Sequence, residues 1–202
     1  MLSEFDKQVI WTVSLLAFWS ASRLGELISS EQSSIDFIRA ITWGKVNLLA
    51  DNHITILIAI PKVTEDHSPE GHVIDLFSFD DSRYCPVYNL DKLHDFCLAK
   101  NKGENCDCAF LWQSGHILTL RVMNEYLNTF LSPFLGDLNC KYSCHSFRSG
   151  LPSFMANHPS EFSEEDIMCT GRWTSPVVKR YLRVKGVSQK KIMKKIHKVL
   201  SR

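Results

Sequence analysis

Apolar and polar positions follow three successive rhythms along this chain. From Val9 to Trp19 nearly every position is apolar, with Thr12 and Ser14 as interruptions. A helix that is apolar all round belongs inside a core, and Ser3 with Asp6 three residues on has the spacing of a capping box that would start it. Ser20-Ala21-Ser22 breaks the run and can cap a second helix beginning near Arg23, with Leu24, Leu27 and Ile28 turned inward. Between Ala40 and Phe79 the pattern changes to strands. These are predicted at Ile41 to Leu49, His53 to Ile60 and His72 to Phe77, with a turn at Asp51-Asn52 and a polar link from Thr64 to Gly71.

Helical spacing then returns. Pro86 to Ala99 reads as a helix through Leu90, Leu93, Phe96 and Cys97, followed by a polar loop from Asn101 to Asp107 and a short strand at Ala109 to Trp112. Thr119 can cap a helix through Val122, Tyr126 and Phe130 that Pro133 and Gly136 would end. A helix with His145 and Arg148 comes next, then a short one started by Ser163-Glu164-Glu165-Asp166 and stopped by Gly171, then one opened by Ser175-Pro176 that bears Tyr181. Residues 188–202 read as a terminal amphipathic helix, with Ile192, Met193, Ile196, Val199 and Leu200 on one face and Lys190, Lys191, Lys194, Lys195 and Lys198 on others. The expected fold class is α+β: mainly helical, with a small antiparallel sheet inserted early.

The length of 202 residues and the 45% hydrophobic content fit one globular domain spanning residues 1–202. No apolar run is long enough to span a bilayer, and neither a basic n-region nor a small-residue cleavage site marks a signal peptide. Seven cysteines, odd in number and without a secreted-domain spacing, fit reduced thiols in cytosol or nucleus, and the expected location is the nucleus, or the cytoplasm before import. Cys106 and Cys108 with Cys140 and Cys144 would be the alternative, a zinc site. The one-residue spacing of the first pair argues against it.

Charge changes the picture more. The formal total is +1, yet residues 172–202 hold 11 of the 23 Lys and Arg and none of the 22 Asp and Glu. The body is near −10 and the tail +11, which suits a polyanion or an acidic partner surface.

His145 and Arg148, three apart on a helix, can address one anion. That pair is a common coincidence on its own. Arg23 in Arg-Leu-Gly-Glu-Leu, Lys62 past a strand, the His145/Arg148 pair and Tyr181 in Lys-Arg-Tyr-Leu-Arg together make a set suited to phosphodiester cleavage. With Gly150 and Gly171-Arg172-Trp173 added, the set resembles the catalytic domain of tyrosine recombinases over nearly the whole chain. The wording Cys-His-Ser-Phe-Arg and Gly-Arg-Trp is most like the recombinases of eukaryotic mobile elements, the Cryptons and the DIRS or Ngaro-like retrotransposons.

The resemblance implies a metal-independent DNA strand transferase without cofactors, acting on double-stranded DNA as a dimer or tetramer, with no membrane role. Tyr181 would attack phosphorus, Arg23 and Arg148 would clamp the non-bridging oxygens, Lys62 would protonate the leaving 5′-oxygen, and His145 would assist proton transfer. Either Arg172 or Trp173 would fill the third phosphate-donor position, where many members carry His or Trp directly after the glycine. The resemblance also leads one to expect an amino-terminal DNA-clamp domain and a terminal helix that packs on a neighbouring copy; with only about twenty residues before Arg23, the chain reads as a catalytic domain alone, either excised or naturally short. The alternatives are a non-catalytic DNA-binding or protein-interaction module of the same fold and a type IB topoisomerase-like enzyme. Glu26 reads as a buttress for Arg23 or a helix charge rather than a catalytic acid.

Overall fold

A computed structural model of the chain describes residues 2–29, 41–49, 53–58, 72–104, 107–135 and 143–173. It is a mainly helical α+β domain whose three-stranded antiparallel sheet precedes most of the helices. The elements are α1 (Glu4–Trp19), α2 (Leu24–Leu27), β1 (Val46–Leu49), β2 (His53–Ile58), β3 (His72–Phe77), α3 (Pro86–Leu98), α4 (Leu120–Leu135), α5 (His145–Ala156) and α6 (Glu164–Gly171). Among the described residues no helix is long and apolar enough to cross a membrane.

The central element is α1, as its apolar run requires. Val9, Val13, Leu16 and Ala17 are fully buried, each larger side chain removing about 1.5–3 kcal/mol worth of apolar surface from water. Ser3 caps it, accepting from the Asp6 amide at 3.1 Å, while the other Asp6 carboxylate oxygen takes the Gln113 amide at 2.7 Å. The polar interruption is not wasted: Thr12 Oγ1 donates to the Asn89 carbonyl of α3 at 3.1 Å, and Gln8 Nε2 to the Asn89 side chain at 3.0 Å. The Trp11 and Trp19 indoles donate to the Arg83 and Tyr84 carbonyls, at 2.8 and 2.9 Å, in the turn before α3.

In the sheet, Ile54, Ile56 and Ile58 alternate inward and meet Ile74 and Leu76 of β3 in register, Ile54 opposite Leu76 and Ile56 opposite Ile74. Two strand expectations change. The first strand begins at Val46, because Trp43–Lys45 form a 3₁₀ turn. Ala109 to Trp112 is held by isolated bridges, Thr42 to Cys108 and Leu111 to Ile117, which are too few for a ladder. Pro133 lies inside α4 instead of ending it. Two residues from the helix end, its missing N–H forfeits a single bond.

Of the helices that carry the site, α2 and α5 pack on α1, and α6 packs on α5. A Cβ on Gly150 of α5 would lie 2.9 Å from the Phe18 ring, so glycine permits this close crossing. The segments holding Lys62, Tyr181 and the helix predicted at 188–202 lie outside the described residues.

Candidate functional site

Three arginines from three parts of the chain converge on one carboxylate. Arg23 is the residue before α2, with extended backbone, and Glu26 folds back so that its Oε2 accepts the Arg23 amide at 3.2 Å. That local bond fixes the carboxylate at the helix start, where a negative charge is favoured. Glu26 Oε1 lies 3.5 Å from Arg23 Nη1 and 3.7 Å from Arg148 Nη1, and Oε2 lies 3.1 Å from Arg172 Nη2. Three guanidinium groups against one carboxylate leave a local charge of 2+.

The arginines differ in access. The Arg23 side chain is 60% exposed, whereas those of Arg148 and Arg172 are 11% and 18% exposed. Burial lowers the pKa of both inner arginines, and the Glu26 charge works against that shift. Arg148 is held further by its Nη2, which donates to the Gly171 carbonyl at 3.2 Å. It sits in α5 one turn past His145, as the sequence spacing requires. His145 is exposed at the first turn, its amide donating to Ser143 Oγ at 3.3 Å.

Arg172 reaches the cluster by an unusual turn. The predicted stop, Gly171, is the last residue of α6, and Arg172 takes the left-handed conformation at φ 51°, ψ 43°. Its amide bonds the Cys169 carbonyl and the Trp173 amide bonds that of Met168, both at 3.3 Å. This is the Schellman pattern, with arginine at the position glycine usually takes. Glycine is needed one residue earlier, because a Cβ on Gly171 would meet the Trp173 indole at 2.6 Å. Of the two residues competing for the third donor position, the structure brings Arg172 to Glu26 and packs the Trp173 ring back over Gly171.

Ser22 went unrecognised as a member of this cluster. It does not cap α2; its Oγ accepts from Arg172 Nη2 at 2.8 Å. Its place immediately before Arg23 was the only signal in the sequence. The buttress reading of Glu26 holds but was too narrow, since the carboxylate serves all three arginines.

Neighbouring features do not compete for this chemistry. Cys144, just before His145, is buried, and burial pushes its thiol up to about 11. A cavity of about 650 Å³ between α1, the turn around Asp80 and Asp81, and Phe147 is lined chiefly by aromatic rings, with those two aspartates as its charged groups. None of its lining residues is cationic, so it offers an anion no counter-charge. Among the described residues no three His, Cys, Asp or Glu side chains gather as a metal would require, and Cys106 and Cys140 of the zinc alternative lie outside them.

What the cluster can do follows from its geometry. Guanidinium groups stay charged and present paired N–H donors that match phosphate oxygens. Two are largely buried and held by partners while one faces solvent, so an entering phosphate would meet preset charge. No protein-family model matches the chain, and no curated protein matches it.

Proposed function

We propose that this chain cleaves and rejoins strands of double-stranded DNA through a 3′-phosphotyrosyl intermediate, as a tyrosine-recombinase-like strand transferase of the kind that mobile elements use for transposition. The observation that carries the reading is the convergence of Arg23, Arg148 and Arg172 on Glu26, which leaves 2+ of charge at a partly open site.

A tyrosine with an ordinary pKa of about 10 is a poor nucleophile at neutral pH. It needs concentrated positive charge at the phosphate it attacks. In this reading Arg23 and Arg148 clamp the two non-bridging oxygens and Arg172 supplies the third donor, while the buried carboxylate keeps the three guanidiniums in place. Tyr181 attacks phosphorus, forming the P–O bond to the phenol as the bond to the 5′-oxygen breaks. Lys62 gives that oxygen a proton, and His145 helps accept or return one. The phosphotyrosyl bond keeps the energy needed for another strand's 5′-hydroxyl to reverse the step. No metal or organic cofactor enters this scheme. The basic segment after Arg172 gives the enzyme its grip on DNA, and a dimer or tetramer on DNA, working in the nucleus, completes the proposal.

The test is a nicked suicide substrate carrying the ends of the cognate element, scored for a covalent protein–DNA band. The wild-type chain is expected to give the band and Tyr181→Phe to abolish it while binding DNA with nearly unchanged affinity. A band that survives in Tyr181→Phe sinks the assignment of the nucleophile. Absence of any band with DNA binding retained would favour a non-catalytic module.

A further inference from the structure

We infer that Ser22 is the positioning residue for the Arg172 guanidinium, held in register by a hydroxyl relay that ends on the Leu16 carbonyl. The inference rests on the phosphate-clamp reading above, because it concerns the third of that clamp's cations.

The relay has a defined direction. Ser20 Oγ lies 2.5 Å from the Leu16 carbonyl oxygen, and the Ser20 and Ser22 hydroxyls are 2.6 Å apart. A carbonyl can only accept, so the single Ser20 proton goes to Leu16. Ser22 must then donate to Ser20, which leaves the Ser22 lone pairs for Arg172 Nη2 at 2.8 Å. Ser22 is fully buried and Ser20 nearly so, so no water competes for these bonds. An alanine at position 22 would leave a buried N–H of a charged group without this acceptor.

The backbone on both sides of the contact is arranged to deliver it. After α1, the Ala21 amide bonds the Phe18 carbonyl at 3.2 Å and the Ser22 amide bonds that of Ala17 at 3.1 Å. Helix α1 therefore ends in the same Schellman turn as α6, with Ala21 left-handed at φ 47°. Among the described residues three non-glycine positions have positive φ: Ala21, Asn101 and Arg172. Asparagine tolerates that conformation, whereas alanine and arginine are disfavoured in it. The two disfavoured ones flank the Ser22–Arg172 contact, one on each partner's chain segment. Strain kept at two facing turns is what a contact needed for function would sustain. Glycine at either turn would relieve the backbone, and at position 172 it would also delete the cation.

A double-mutant cycle distinguishes positioning from mere support. Ser22→Ala, Arg172→Ala and the pair are compared with wild type for the single-turnover rate of covalent adduct formation, DNA affinity and the thermal shift induced by inorganic phosphate. Ser22→Ala should slow the adduct on the order of 10- to 100-fold, the usual effect of a misplaced catalytic group, with DNA affinity close to wild type and a lowered unfolding midpoint, because the Arg172 N–H loses its acceptor. In the Arg172→Ala background the same change should add almost nothing. Ser22→Thr, which keeps the hydroxyl, should recover most of the rate. The phosphate-induced shift should shrink in Ser22→Ala and in Arg172→Ala alike. Additive effects, or a Ser22→Ala chain with wild-type rate and wild-type phosphate shift, would overturn the inference. If the wild-type chain forms no adduct, the cleavage reading falls and the phosphate shift decides Ser22 by itself. Absence of that shift in wild type overturns this inference as well.

Discussion

The Trp173 indole occupies the space that a side chain on Gly171 would need: a Cβ there would stand 2.6 Å from Cδ2 and Cε2 of the ring. The carbonyl of the same glycine accepts the Arg148 guanidinium at 3.2 Å. Gly171→Ala gains helix propensity of up to about 1 kcal/mol, yet the overpacking costs roughly 1–3 kcal/mol. We expect a net loss of stability in urea unfolding, relieved when Trp173→Ala is added. A Gly171→Ala chain more stable than wild type would contradict this packing.

Glu26 is the common counter-charge, so its replacement should separate stability from anion affinity. Glu26→Gln leaves two inner guanidiniums without a carboxylate, a loss of roughly 3 kcal/mol by analogy with broken buried ion pairs. The local charge rises to 3+, and sulfate should bind the variant more tightly than wild type. Equal stability and equal sulfate affinity would show that the carboxylate does not organise the cluster.

The proposed clamp would depend on shape as well as charge. Lysine at position 23 or 148 keeps the charge but loses the planar fork, and at 148 it cannot reach the Gly171 carbonyl and Glu26 together. Adduct formation should fall about 100- to 1,000-fold in each variant, the range for removal of one preset donor. Near wild-type cleavage in both would refute the two-bond clamp.

Cys144 gives a prediction in pH. Burial raises its thiol from 9.0 to about 11, so the unfolded chain releases this proton first as pH rises. The folded state keeps its full advantage below pH 9 and loses it between pH 9 and 11, by about 2–3 kcal/mol. Cys144→Ala should flatten that part of the stability profile when both chains are unfolded in urea at pH 8.5 and 10.5. Parallel profiles would show that the thiol is not shielded.

Much of the fold was legible because local chemistry and tertiary packing agree. The apolar run of α1, the Pro86 start of α3 and the Ser163–Asp166 box of α6 each appear where the pattern places them. The first strand starts later than its pattern suggests, because Ile41 and Trp43 alternate with Thr42 and Gly44 as strand residues do, while Trp43–Lys45 turn in a 3₁₀ helix. Gly171 does end α6, as the pattern places it, but the left-handed residue of the turn is Arg172, because the neighbouring indole fills the space beside the glycine. At the site, Arg23 and Arg148 were legible as cations with suitable neighbours. The part played by Ser22 was not, because nothing local distinguishes a buried acceptor for a distant arginine from a helix cap.

The arginine cluster draws on α2, α5 and α6, and so on nearly the whole span between Arg23 and Arg172. Contacts of such long sequence separation form only after the intervening chain has been ordered. During synthesis, with the amino-terminal part emerging first, α1 and the sheet can collapse while Arg23 still faces solvent as an ordinary surface cation. Only when α6 has left the ribosome do Arg148 and Arg172 arrive to concentrate charge around Glu26. A nascent chain therefore lacks this concentration of positive charge until residue 172 has emerged.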